Sequence, residues 1–304
     1  MATSLGSMKL AAALVVLATA GCAPSFYQGP LPGAPQGATY AQVNGTRVRY
    51  VDSGGKGSPV VLLHGFASAL ETWNSVRPTL EKQHRVIALD LKGFGWTDRP
   101  PGDYSPRAQA KLVAGLLEQR GVRRASVVGH SWGSSVALML AMERPQMVSR
   151  IALYDAWVYE EQLPTTFHWA RAQGLGELLF DLFYDQRSDE KMAFAFYDPS
   201  RISEEFVEDV DRALERPGTT AAALAAVRGQ RYEDWQSRYS EVTAPALLLW
   251  GREDRVSPVD IGERLLRQLP NAELKVYPRC GHFPMIEAQS ASTRDLAEFL
   301  KGDS

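Results

Sequence analysis

One serine stands where a nucleophile would. Ser131 is the centre of Gly129-His130-Ser131-Trp132-Gly133, which follows the apolar pair Val127-Val128 and precedes the helix-forming run from Ser134 to Met142. A serine on a sharp strand-to-helix turn is held in strained backbone geometry with its Oγ exposed. Strand and helix nearly touch there, so the residues two before and two after the serine must lack bulk, and Gly129 and Gly133 meet that need. A serine hydroxyl is too weak an acid to attack a carbonyl at neutral pH. The chemistry therefore also asks for an imidazole to carry its proton, and for a carboxylate to hold that imidazole in one tautomer.

The segments that must position these groups alternate between strand and helix. Gln42 to Asp52 alternates around Asn44-Gly45 and reads as a hairpin. Pro59-Val60-Val61-Leu62-Leu63, Arg85-Val86-Ile87-Ala88-Leu89, Arg150-Ile151-Ala152-Leu153-Tyr154, Pro245 to Gly251 and Leu274 to Tyr277 read as further strands, several of them unbroken apolar runs of the kind buried in a parallel sheet. Helical spacing covers Arg107 to Arg120, and a closing helix is expected from Ile286 to Lys301. The helix that begins at the elbow would set its N-terminus, with its dipole and free N–H groups, beside any negative charge developing at Ser131.

Together the Gly-x-Ser-x-Gly elbow, the loop Asp90-Leu91-Lys92-Gly93-Phe94-Gly95-Trp96-Thr97-Asp98-Arg99-Pro100 and the chain order Ser131, Asp254, His282 resemble the serine α/β-hydrolases of the capped kind, over roughly Val43 to Leu300. The resemblance implies an α/β fold: a mostly parallel eight-stranded sheet with helices on both faces, its core in residues 41–155 and 241–304 and a helical cap inserted at 156–240. It implies Ser131 as nucleophile, His282 as acid and base, and Asp254 as the carboxylate. It also implies an oxyanion hole made by the backbone N–H groups of Phe66, after His64-Gly65, and of Trp132. Asp155, just past Tyr154, is the alternative acid, and Glu253 reads as a solvated loop acid. His64, Asp90, Asp98 and Arg99 read as structural braces. The aromatics of the inserted region, among them Trp157, Phe167, Trp169, Phe180, Phe183, Tyr184 and Tyr232, collectively imply an apolar pocket.

At the amino terminus, Met8-Lys9 and the apolar run Leu10 to Ala20 read as a secretory signal over residues 1–21. The closing Thr19-Ala20-Gly21-Cys22 resembles the lipobox of bacterial lipoproteins, which implies lipidation of Cys22 and a place at the outer membrane or on the periplasmic face; an ordinary cleaved signal is the alternative. Residues 22–40, rich in proline and glycine, are expected to form a mobile tether.

Forty-five per cent hydrophobic residues over 304 positions suffice for one large core, and a net charge of −2 gives no reason to expect nucleic acid as a partner. No cofactor or metal site is expected. The reading is an ester-cleaving hydrolase acting through an acyl-serine on a small, partly apolar substrate. Three alternatives share its triad: an aminopeptidase similar to proline iminopeptidases, a carbon–carbon hydrolase of ring-cleavage products, and a cofactor-free perhydrolase or haloperoxidase. A surface binding protein with a degenerate hydrolase fold is the non-enzymatic rival. Ser131 argues against the dehalogenase and epoxide hydrolase branches, which the resemblance associates with aspartate at this position.

Overall fold

The computed structural model describes residues 24–184, 188–202 and 204–303. Eight strands form one sheet in the order β1-β2-β4-β3-β5-β6-β7-β8: β1 (Thr39–Val43), β2 (Thr46–Asp52), β3 (Pro59–Leu63), β4 (Arg85–Leu89), β5 (Ala125–His130), β6 (Val148–Tyr154), β7 (Ala246–Gly251) and β8 (Ala272–Tyr277). The first two strands make the antiparallel hairpin, its turn carried by Asn44 and Gly45 at φ 47° and 78°, as a two-residue turn requires. β2 also runs antiparallel to β4, and the remaining neighbours are parallel.

Period-two alternation splits each central strand between two apolar layers. Val61, Leu63, Val127, Leu248 and Trp250 face one, whereas Val60, Leu62, Val128, Leu247 and Leu249 face the other. Helices cover both: α2 (Pro106–Gln119), α3 (Trp132–Glu143) and α9 (Val259–Gln268) contribute to the first layer, α1 (Arg77–Leu80) and α11 (Gln289–Leu300) to the second. The closing helix is not continuous. It breaks at Ala288 (φ −115°, ψ 33°), between α10 (Pro284–Glu287) and α11, where the Glu287 carboxylate turns to accept backbone N–H groups.

Between β6 and β7 the chain leaves the sheet and forms α4 (Thr165–Ala170), α5 (Leu175–Phe183), α6 (Ser188–Ala195), α7 (Glu204–Leu214) and α8 (Thr219–Gly229). These carry a small apolar cluster of their own, around Ala170, Phe180, Ala223, Leu224 and Val227.

The proline- and glycine-rich segment is not the free tether expected of it. From Pro24 onward it lies against the body: Tyr27 and Arg99 exchange backbone hydrogen bonds of 3.1 and 3.2 Å, Phe26 stacks on Tyr104 at 5.9 Å, and Leu31 is buried. Two backbone hydrogen bonds and two apolar side chains outweigh the composition around them. Residues 1–23, and with them the signal and Cys22, lie outside the described residues. Among the described residues no helix is long and apolar enough to cross a membrane.

Candidate active site

Ser131 joins β5 to α3 at φ 50°, ψ −121°, a backbone conformation that L-residues other than glycine rarely hold. The elbow is pinned on three sides: the Ser131 N–H donates to Tyr154 O at 2.9 Å, and Ser131 O accepts from Trp157 and Ser134 at 3.1 and 2.9 Å. The two glycines are sterically required. A Cβ on Gly129 would lie 2.6 Å from Gly133 O, and one on Gly133 would lie 2.5 Å from the carbonyl oxygens of both Leu63 and His64. The N–H groups of Phe66 and Trp132 donate to no backbone carbonyl among the described residues, which leaves both amides available to an oxyanion.

His282 follows β8, and its Nδ1 lies 2.7 Å from Asp254 Oδ2. Asp254 follows β7, and its other oxygen accepts the N–H groups of Val256 at 2.7 Å and Ser257 at 3.0 Å. A carboxylate so held can only accept from the imidazole, so Nδ1 carries a proton and Nε2 is the nitrogen free to act as base. Ser131 and His282 both line one cavity of about 390 Å³, walled mainly by Phe66, Trp132, Trp157, Phe167, Met192 and Val256.

Asp155, the alternative acid, is fully buried within the same cluster. One ligand-type atom from each of Asp155, Asp254 and His282 falls within 4.8 Å of the others, yet Asp254 makes the 2.7 Å contact with the imidazole. Asp155 Oδ1 accepts the Gly251 N–H at 2.9 Å. Burial, and next the Asp254 carboxylate, raise its pKa well above the usual carboxylate range, which favours the neutral acid beside Asp254.

The remaining histidines near the site are structural. His64 donates from Nδ1 to Gly65 O at 2.7 Å and accepts the Leu91 N–H on Nε2 at 2.9 Å. His130 Nε2 lies 2.8 Å from His282 O, which fixes the backbone of the imidazole paired with Asp254. Burial, then the neighbouring His282, keep His130 well below its usual pKa, so it stays neutral. Asp90 braces its loop through the N–H groups of Leu70 and Trp96 at 2.8 and 2.7 Å, and Asp98 pairs with Arg47 at 3.4 Å. Arg99 spends its guanidinium on the carbonyls of Thr97 and Gly95 and on Thr219 Oγ1.

Two acids depart from the sequence reading. Glu253 is not merely solvated, because its Oε2 accepts the Cys280 N–H at 3.0 Å and supports the loop that carries His282. Glu287, which no sequence pattern marks, accepts from Tyr197 and Asp198 of the inserted region at 3.0 Å each and from Gly281 at 2.7 Å. The aromatics also divide. Trp157, Phe167 and Tyr184 line the cavity; Tyr159, Tyr232, Trp235 and Tyr239 pack into the core; Trp169, Phe183, Phe194 and Tyr197 are exposed.

A nucleophile elbow, a carboxylate-bound histidine and a cavity roofed by inserted helices, set on a mostly parallel eight-stranded sheet, define a hydrolase. The chain belongs to the family described as alpha/beta hydrolase fold, whose sequence profile matches residues 58–289. It is 32% identical, over 84% of its own length and 91% of the relative's, to a 2-hydroxy-6-oxononadienedioate/2-hydroxy-6-oxononatrienedioate hydrolase of Burkholderia vietnamiensis. It is 30% identical to a 2-hydroxy-6-oxo-2,4-heptadienoate hydrolase of Pseudomonas putida, over 82% of this chain and 91% of that one. Among solved structures, it resembles a meta-cleavage product hydrolase from Pseudomonas fluorescens, CumD, at a TM-score of 0.73 and 26% identity, over 88% and 98% of the two chains. A thermophilic esterase from Thermogutta terrifontis is similar at 0.72 and 25%, over 87% and 98%.

Proposed function

We propose that the protein is a Ser131-dependent hydrolase that cleaves a carbon–carbon bond beside a carbonyl in a small oxo acid, with ester cleavage as the second reading. One observation carries the hydrolytic part: Ser131 and the Asp254-bound His282 open onto a single, largely apolar cavity. The substrates that the relatives are named for support the carbon–carbon reading over the ester expected from the sequence alone. The ester reading keeps support from the wall itself. Lys191 is the one cationic side chain among its described residues, which suits uncharged substrates better than dianions.

Both readings share one course. Ser131 Oγ bonds to the carbonyl carbon while His282 Nε2 takes the hydroxyl proton, and the N–H groups of Phe66 and Trp132 hold the oxyanion. As the intermediate collapses, the bond to the leaving group breaks and His282 returns the proton to the departing carbon or oxygen. Water then adds to the acyl-serine, His282 takes its proton, and Ser131 leaves with that proton as the free acid forms.

Assay of a 2-hydroxy-6-oxo-dienoic acid and of short p-nitrophenyl esters tests the proposal. The wild type is expected to turn over the first faster, and Ser131→Ala to lose at least about 10⁴-fold in kcat on both. Wild-type turnover by the variant would overturn the nucleophile, and ester-only turnover would select the second reading. Export with lipidation at Cys22 is a separate part of the proposal, resting on the amino-terminal sequence. Mass spectrometry of the mature protein is expected to find a diacylated Cys22 at its amino terminus, and an uncleaved chain would overturn it.

A further inference from the structure

Gln230, just past α8, is buried to 1% exposure in the wall that also holds Ser131 and His282. Its amide cannot be flipped. Oε1 accepts the indole N–H of Trp157 at 3.0 Å and the Tyr232 hydroxyl at 3.2 Å, and an indole nitrogen only donates. The backbone is equally fixed, its N–H bonded to Val227 O at 3.1 Å and its carbonyl accepting the Arg171 guanidinium. That leaves Nε2, a buried donor with no hydrogen-bond partner among the described residues. Two further residues of the same wall carry such groups, the Trp132 indole N–H and the Tyr184 hydroxyl, the latter's ring set between Phe180 at 5.3 Å and Phe66 at 6.4 Å.

Buried polar groups in native proteins are paired by protein, water or ligand, and Gln230 stands in the wall of a cavity that holds a ligand's place. We propose that Gln230 is a specificity-determining residue whose side-chain N–H binds a second neutral oxygen of the substrate, a keto or ester carbonyl distinct from the one Ser131 attacks. An amide N–H suits a neutral carbonyl, and the surrounding Phe66, Trp132, Phe167, Met192 and Val256 take up the hydrocarbon between the two oxygens. The preferred substrates are thus dioxygenated acyl compounds with an apolar spacer. The inference rests on the serine-hydrolase reading of the same cavity and goes beyond it in naming what the remote end of the substrate carries.

The test compares oxo substrates with their methylene counterparts in two series. One varies the acyl side, as p-nitrophenyl 4-oxopentanoate and 5-oxohexanoate against the pentanoate and hexanoate; the other varies the alcohol side of acetate esters in the same way. The wild type is expected to favour the oxo member of at least one series by about tenfold in kcat/KM. In Gln230→Met that ratio falls to about one. Gln230→Leu, a second side chain without a donor, falls likewise and guards against misfolding of the first variant. A ratio that is unchanged in both variants and both series overturns the inference. Binding of 2-heptanone, read by tryptophan fluorescence, needs no turnover and is expected to weaken about tenfold in Gln230→Met. Absence of ester hydrolysis in every protein would therefore overturn the ester reading alone, while unaltered ketone binding would overturn the role of Gln230.

Discussion

At the scale of single residues, two buried acids compete for one imidazole, and the geometry separates them. Asp254 reaches His282 at 2.7 Å while two backbone N–H groups hold its other oxygen. Asp155 meets the Gly251 N–H and otherwise faces burial and the charge of Asp254. A raised carboxyl pKa has a fixed sign in stability. Between the unfolded value, about 4, and the elevated folded one, the native protein binds one proton more than the unfolded chain, so stability falls as pH rises through that window. Asp155→Asn removes the titration while its amide still accepts from Gly251 and donates to Asp254. The drop in urea midpoint between pH 5 and pH 8 is expected to be smaller in the variant than in the wild type; an equal drop would show that Asp155 is ionised. Sequence could mark both acids, because Asp155 directly follows one buried strand and Asp254 lies in the loop after another, but the choice between them depends on distances that no spacing encodes.

At the scale of elements, the strands and the elbow were legible because their causes are local. Alternation that feeds two apolar layers, small residues flanking Ser131 and a turn at Asn44-Gly45 all lie within a few positions of what they explain. The break before α11 was not legible, since it serves partners far away in the chain. Glu287 gathers the N–H groups of Tyr197, Asp198 and Gly281, and Arg201 donates to its carbonyl oxygen at 2.9 Å. Glu287→Ala leaves three amides without that acceptor, so a loss of about 3 kcal/mol in unfolding free energy is expected, together with a fall in kcat, whereas Glu287→Gln should lose less of each. Chemical denaturation and steady-state kinetics check both, and an unaltered kcat in Glu287→Ala would show that the contact does not position His282.

At the scale of the whole molecule, the legible part was the sheet and its insertion point; the path of the ends and the division of labour among the aromatics were not. Composition marked residues 22–40 as a mobile tether, but Phe26 and Tyr27 bind that stretch to Tyr104 and Arg99, and Leu31 is buried. Likewise, a crowd of rings announced an apolar pocket, although only three of those named in the inserted region reach it. The inserted helices are joined to the chemistry by more than a shared wall. The His282 N–H donates to Ala195 O at 2.7 Å, two residues before the segment that Glu287 grips. Any displacement of that roof would therefore pull on the very stretch of backbone from which the imidazole hangs.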